Sequence, residues 1–306
     1  MMRTTWLMML SLLMLIGCAE KEDEGAASSS SDQTPVVSVS NYPLQYFTER
    51  LASWIDVRFP ANVAGDPAYW KPSAQDISAM QKADLIVLNG ASYETWLANV
   101  SLSQAKLVDT AAGLTDQLIP LNGHTTHSHG LEGEHEHSGT AFTLWLDLKL
   151  AQAQVQALNN TFASKWPNRS AEIKQSTIDL IRDLELLDGQ LKAIVSVAAD
   201  RPVLFSHPVY QYLQKRYDMN GKSVHWEPDA LPDEALWKEL MELLKNHPAK
   251  WMIWEGTPLP AITERLSEMD IMSVVFDPCA GKPEQGDFMS VMKQNVAELQ
   301  KVYSSQ

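Results

Sequence analysis

The chain has 306 residues, a formal net charge of −14 at pH 7 and a hydrophobic fraction of 45%. That fraction is normal for a globular protein, and the length suffices for two lobes of ordinary domain size. The acidic balance argues against nucleic acid as a partner, because binding to nucleic acid needs a basic surface.

The N-terminal residues 1–17 are predicted to be a lipoprotein signal peptide. They contain one basic residue, Arg3, and an apolar run that is too short to span a bilayer permanently. The residues directly before Cys18 resemble a bacterial lipobox, which implies cleavage before Cys18 and a lipid on its thiol and amine. Such a lipid would anchor the protein to a membrane, outside the cytoplasm, without a spanning helix. The sequence leaves open which membrane holds it, and whether the protein faces the periplasm or the cell surface.

Residues 18–34 are predicted to be a disordered tether, because they are polar, small and charged and cannot bury enough apolar surface to fold.

Cys279 is the other cysteine of the chain, so a lipidated Cys18 leaves no internal disulfide. Because no later segment has the long apolar run of a transmembrane helix, we expect the rest of the chain to be a soluble body.

Strands and helices alternate over residues 35–145, which predicts an N-terminal α/β lobe with a parallel sheet. The apolar run at 85–88 is typical of a strand that is buried on both faces. The strands are predicted at 35–40, 57–63, 85–88 and 106–109, and the helices at 42–51, 76–83 and 93–97.

Five of the eight histidines fall within residues 123–139 of this lobe. They are His124, His127, His129, His135 and His137. Four glycines and the lack of apolar periodicity predict a flexible loop here. Imidazole is the commonest protein ligand for zinc, so the loop is predicted to handle metal ions. The alternative is a solvated polar loop that touches metal only incidentally.

A long helix is predicted to join this lobe to a second one. The connecting region is residues 146–200. One helix is predicted at 145–162, and a longer helical pattern at 168–198 has apolar residues that recur at three- and four-residue steps from Leu180 onward. Alternation then resumes in a C-terminal α/β lobe at 201–306. Its strands are predicted at 203–206, 250–254 and 272–276, and its helices at 232–246, 258–268 and 287–303. Two lobes with a site between them are a general layout for ligand binding.

Several short motifs, in order along residues 36–303, together resemble one known family. The motifs are Asn41-Tyr42-Pro43-Leu44 and the segments 66–73, 83–90, 93–97, 144–147, 205–213 and 275–278. The chain resembles the solute-binding lipoproteins of ABC importers for zinc and manganese. The resemblance implies two α/β lobes with parallel sheets, joined by one long rigid helix, and a metal cleft between the lobes. It also implies delivery of the metal to an ABC permease.

The resemblance also implies a set of metal ligands, which this chain matches only in part. The family uses up to three histidines and one acidic residue. His207 and Asp277 match two of these positions, whereas Ala68 and Thr143 stand where the other two histidines would be. A complete family site is therefore not expected.

Two explanations remain open for the missing histidines. In the favoured one, His135 or His137 reaches the cleft in their place, and His127 or His129 adds a fourth contact, since zinc takes about four ligands. In the other, the cleft has lost tight binding and the loop is a low-affinity collector. Glu255 is a candidate partner that would hold His207 in one tautomer.

The expected cargo is Zn²⁺, with Mn²⁺ less expected, because manganese prefers oxygen-rich octahedral sites. The expected protein is a monomeric receptor and not an enzyme. The alternatives are a metal-storing protein, a metal chaperone or an adhesin, and, less favoured, an exported zinc hydrolase. The hydrolase is disfavoured because the sequence has neither a His-Glu-x-x-His motif nor a serine nucleophile elbow.

Overall fold

The computed structural model describes residues 33–59, 67–128 and 134–304, and for residues 122–128 and 134–138 it describes the backbone alone. The predicted signal peptide, most of the predicted tether, Cys18 and His129 lie outside the described residues. Within the described ranges, no helix is long and apolar enough to cross a membrane.

The first sheet has four parallel strands in the order β2-β1-β3-β4. All four residues of β3 are buried, as its continuous apolar run predicts. The strands are β1 (Val36–Val39), β2 (Asp56–Arg58), β3 (Leu85–Leu88) and β4 (Leu107–Asp109).

Two helices of this lobe begin where side chains cap them. Helix α1 (Tyr42–Leu51) begins after Asn41, whose side chain accepts a hydrogen bond from the backbone N–H of Leu44 at 3.0 Å. Helix α2 (Ala74–Lys82) begins after Ser73, which forms a reciprocal capping box with Asp76.

Two predicted elements of this lobe differ from the structure. The helix predicted at 93–97 is a 3₁₀ helix at Thr95–Asn99. Three consecutive residues, 90–92, have positive φ, so the chain turns sharply after β3 and the helical segment begins later than predicted. The strand predicted at 57–63 is Asp56–Arg58 among the residues that the structure describes.

The prediction of a flexible loop at 123–139 is wrong for the part that the structure describes. Strands β5 (Pro120–Ser128) and β6 (Glu134–Thr140) form an antiparallel hairpin in which His127 lies opposite His135. Backbone hydrogen bonds pair the strands, and these bonds need no apolar alternation in the sequence. Periodicity therefore could not reveal this hairpin.

The long connecting helix is present. Helix α3 (Leu148–Lys165) precedes α4 (Ser170–Val195), which at 26 residues is about 39 Å long. One face of α4 is buried and packs against α3 and α1 and, in the second lobe, α8 (Phe288–Ser304). That face consists of Ile173, Thr177, Leu180, Leu184, Leu187, Leu191 and Val195.

The second sheet repeats the strand order of the first, with four parallel strands in the order β8-β7-β9-β10. The strands are β7 (Val203–Phe205), β8 (Gly221–Ser223), β9 (Trp251–Trp254) and β10 (Met272–Val275). The remaining helices are α5 (Gln211–Tyr217), α6 (Glu234–Asn246) and α7 (Pro260–Glu268). The sequence predicted neither β8 nor α5, which are only 3 and 7 residues long. The predicted fold class, two parallel-sheet α/β lobes with a long helix, is confirmed.

Direct hydrogen bonds join the two lobes beside the gap between them. The indole Nε1 of the fully buried Trp145 donates to the carbonyl of Pro278 at 2.7 Å. The backbone N–H of Tyr42 donates to the carbonyl of Ala280 at 2.9 Å. The hydroxyl of Tyr212 donates to the carbonyl of Ala141 at the base of the hairpin, at 3.0 Å. These bonds fix the second lobe against the first.

Candidate metal centre

Four ionisable side chains follow the strands of the second sheet. His207 comes two residues after β7, Glu255 directly after β9 and Asp277 two residues after β10, while Glu227 follows β8 by four residues. The carboxyl ends of parallel strands meet at one edge of a sheet, which is where ligands bind in open α/β folds. The second sheet thus presents an imidazole and three carboxyl groups at the edge where a ligand is expected.

His207 lies between two glutamates. Its side chain is 4% exposed, and its Nε2 is 3.5 Å from Oε1 of Glu227. Its Nδ1 is 4.0 Å from Oε1 of Glu255 on the other side of the ring. One ligand atom from each of the three residues lies within 4.8 Å of the other two. An imidazole and two carboxylates at these separations are a donor set that can hold a divalent metal ion.

Asp277 lies on the wall of a cavity of about 240 Å³ between the lobes, together with Glu255. One of its carboxylate oxygens, Oδ1, accepts the backbone N–H of Cys279 at 2.7 Å. The side chain of Asn295 holds the backbone of Asp277 at both its N–H and its carbonyl. Burial raises the pKa of Asp277, and the bond from Cys279 opposes that rise. Asp277 is therefore rigidly placed, beside Glu255 and facing the gap.

The first lobe supplies no nitrogen or carboxylate at the two positions where the family resemblance expects histidine. Ala68 is buried in a 3₁₀ helix at Pro67–Tyr69. Thr143 lines the cavity, but its hydroxyl donates to the carbonyl of Val209 at 2.6 Å. Thr143 and Pro67, the neighbour of Ala68, line the cavity, while Ala68 is packed in the core and Thr143 makes a lobe–lobe contact.

The structure does not test the hairpin histidines as ligands. The backbone places His127 opposite His135 and Thr125 opposite His137, while His129 lies outside the described residues. The base of the hairpin is tied to the first lobe, where the hydroxyl of Thr140 donates to the carbonyl of Ala91 at 3.0 Å. The coordination of metal by His127, His129, His135 and His137 stays a prediction.

Two other residues that chemistry would nominate as ligands have structural roles. Cys279 is 2% exposed, and burial raises the pKa of its thiol far above the usual range, as for a cysteine packed in the core. His247 is buried, with Nε2 2.9 Å from the carbonyl of Val203. The ring of His225, which is exposed, lies edge-on to that of His207 with centroids 6.2 Å apart.

Sequence reasoning missed Glu227. It follows β8, a strand of three residues that no sequence pattern predicted, so there was no reason to place it at the ligand-binding edge. The signal that identifies Glu227 is spatial. It lies 20 residues after His207 and 28 residues before Glu255 along the chain, and the fold brings the three side chains together.

The corresponding edge of the first sheet carries a buried carboxyl group. Both carboxylate oxygens of Glu94 accept backbone N–H groups, from Asn89 at 2.6 Å and from Gly90 at 3.1 Å. Burial nevertheless raises the pKa of Glu94 to about 7, from an ordinary value of 4.5. The folded protein therefore binds more protons at this residue than the unfolded chain does between these two pH values.

Glu94 is expected to make stability fall as the pH rises through this window. Its contribution is fully present below about pH 4.5 and is lost as the pH passes about 7, because the buried carboxylate must then carry charge. Urea unfolding measures the free energy of unfolding at pH 5 and at pH 8. Between these two pH values the wild type should lose more of it than Glu94→Gln does, by up to about 3 kcal/mol. Parallel losses in the two proteins would contradict this assignment.

The architecture and the site together define the class of the protein. Two lobes with identical strand order around a gap, with an imidazole and carboxylates at one sheet edge, are a general layout for ligand binding. Comparison with known proteins identifies the family. The model of the family described as ZnuA, zinc-uptake complex component A periplasmic, matches residues 37–302, and the chain belongs to this family. The predicted family is confirmed, and the protein is a receptor and not an enzyme.

Known relatives agree with this membership. The high-affinity zinc uptake system protein ZnuA of Bacillus subtilis is 27% identical over 94% of this chain and 93% of the relative. The zinc-binding lipoprotein AdcA of Streptococcus pneumoniae is 24% identical over 95% of this chain, which spans 58% of the length of AdcA. The crystal structure of the Zn(II)-bound ZnuA-like domain of S. pneumoniae AdcA has a TM-score of 0.75 and 20% identity, covering 89% of this chain and 100% of that domain. This last likeness supports the fold.

Proposed function

We propose that this protein binds a zinc ion between its lobes and delivers it to the permease of an ABC importer. The observation that carries the proposal is the buried imidazole of His207, held between Glu227 and Glu255 at the ligand-binding edge of the second sheet. The relatives named for zinc uptake and zinc binding support zinc as the cargo. Imidazole with carboxylate is a donor set that zinc accepts, whereas manganese prefers oxygen-rich octahedral sites.

His207 is the anchoring ligand in this proposal, because a strand end on a rigid sheet presents it. Asp277 and the hairpin imidazoles of His127, His129, His135 and His137 are the further candidates that the sequence supplies. Oε1 of Glu255 lies 4.0 Å from Nδ1 of His207, at the same edge of the sheet.

Calorimetric titration of the purified chain with Zn²⁺ near pH 7.5 tests the proposed function. We expect about one ion to bind tightly and further ions to bind weakly, since the described part of the chain holds one candidate ligand cluster, around His207, besides the histidine-rich hairpin. Deprotonated imidazole is required for binding, so a neutral or slightly basic buffer is the appropriate condition. A titration without zinc uptake at this pH would defeat the proposal.

We also propose that the chain is processed and tethered as its N-terminus predicts. Residues 1–17 would be removed, Cys18 would carry the lipid, and residues 18–34 would link the anchor to the N-terminal lobe at 35–145. The connecting helices at 146–200 and the C-terminal lobe at 201–306 complete the proposed domain division, and the working unit would be a monomer. The family's periplasmic description and the printed name of the lipoprotein AdcA support this arrangement.

The hairpin is expected to contribute to the tight site. Replacing its five histidines by asparagine should raise the zinc Kd at least about tenfold, because the described first-lobe wall offers no other imidazole to the cavity. Competition with a chromophoric chelator measures the change. Replacing Glu132, Glu134 and Glu136 by glutamine is the matched control, since it removes charge from the same segment and keeps the imidazoles. An unchanged Kd in the asparagine variant would make the hairpin an accessory collector.

A further inference from the structure

The separations around His207 fit a single metal ion that contacts all three side chains. Zinc–ligand distances of about 2.0–2.2 Å in a tetrahedron place neighbouring ligand atoms roughly 3.4 Å apart. Oε1 of Glu227 lies 3.5 Å from Nε2 of His207, and Oε1 of Glu255 lies 4.0 Å from Nδ1. An ion binds only one of these two nitrogens, and one ligand atom from each of the three residues lies within 4.8 Å of the other two. Side-chain adjustments of less than about 1.5 Å would bring the three donors to one ion.

The described first-lobe wall of the cavity offers no free ligand opposite Glu255 and Asp277. Among the described residues, the first lobe lines the cavity with Pro67, Thr143 and Trp145. Proline has no donor atom in its side chain, Thr143 is bonded to Val209, and the indole of Trp145 donates to Pro278. Among the described residues that line the cavity, the carboxylates come from the second lobe, as Glu255 and Asp277.

Charge also favours a cation at this position. Two carboxylates whose oxygens lie within 4.8 Å of one another repel, and they flank an imidazole that is almost fully buried. A divalent ion between them would neutralise both charges. The backbone places the two glutamates there from different strands, Glu227 after β8 and Glu255 after β9, so the pair is a product of the fold.

We propose that Glu227 and Glu255 are direct ligands of the bound metal, and that with His207 they form a set of one imidazole and two carboxylates. This inference rests on the proposed function, since it assigns the ligands of the same ion. The fourth position would be taken by Asp277, by a hairpin imidazole or by water. The ion would accordingly sit closer to the second lobe than to the first.

The test uses Glu227→Gln and Glu255→Gln, which keep the shape of each side chain and remove its charge. Zn²⁺ affinity is measured by competition with a chelator, and Co²⁺ is bound in place of zinc to record the visible absorption of its coordination shell. Each variant should lose at least about tenfold in zinc affinity and should change the Co²⁺ spectrum. The control is Asp229→Asn, which neutralises an exposed carboxylate two residues from Glu227 and should alter neither measurement.

The outcomes separate this inference from the proposed function. If the wild type binds no zinc, the proposed function itself fails and the ligand assignment fails with it. If the wild type binds zinc and both glutamine variants match it in affinity and spectrum, the function stands and the ligand assignment is wrong. If Glu255→Gln loses affinity with an unchanged Co²⁺ spectrum, Glu255 orients His207 without touching the metal, which overturns its role as a ligand. Thermal unfolding of the metal-free variants checks that each one folds.

Discussion

Replacing His207 by alanine is expected to raise the zinc Kd by at least about 100-fold, which corresponds to about 3 kcal/mol of binding free energy. His207 lies two residues after β7, and its ring is held between Glu227 and Glu255. A ligand that rigid packing holds in place binds metal without first being ordered. The alanine side chain offers no donor atom, and the two carboxylates would then face each other without the imidazole.

The matched control is His225→Ala. The ring of His225 lies with its centroid 6.2 Å from that of His207, but its side chain is exposed. Its removal should change the zinc Kd by no more than about twofold, within the range of a weak screened effect at the surface. Equal losses in the two variants would show that the site depends on the local histidine pair, and an unaffected His207→Ala protein would remove the anchor of the proposed centre.

Replacing Leu184 by alanine is expected to lower the free energy of unfolding by about 3–5 kcal/mol. Leu184 is fully buried on the face of α4 that packs against helices of both lobes. Its removal leaves a cavity in the helix that connects them, and the rigid surroundings relax only in part. Urea unfolding at constant pH, without metal, measures the change.

Leu186→Ala provides the control for this substitution. Leu186 lies two residues further along α4, and it is 65% exposed. The same atoms are removed from the same helix, so helix propensity changes equally in both variants. The Leu186 variant should lie within about 0.5 kcal/mol of the wild type. Similar losses in both variants would contradict the packing assigned to α4.

Much of this fold could be predicted because its signals are local. The buried face of α4 repeats at three- and four-residue steps, and β3 is a continuous apolar run, so both follow from periodicity. The hairpin and β8 could not be predicted, since backbone pairing between strands defines them and no side-chain periodicity marks them. In the hairpin, Pro120 pairs with Thr140 across residues that carry no alternating pattern.

The site divides in the same way. His207 and Asp277 follow recognisable strands, and the family resemblance pointed to both positions. Glu255 also follows a strand that the sequence predicted. Glu227 could not be found, because its position depends on β8 pairing with β7, and that pairing brings a residue 20 positions after His207 back to its ring. The coordination of the metal ion by imidazoles of the hairpin stays a prediction from the sequence.

The central claim is that His207 coordinates the captured ion at the carboxyl edge of the second sheet. A crystal of the zinc-loaded protein, with anomalous diffraction collected on both sides of the zinc absorption edge, tests this most directly. The account predicts an anomalous peak about 2.0–2.2 Å from a ring nitrogen of His207, with carboxylate oxygens of the same sheet edge completing the shell. A zinc peak that is confined to the hairpin, with no ion in contact with His207, would contradict it.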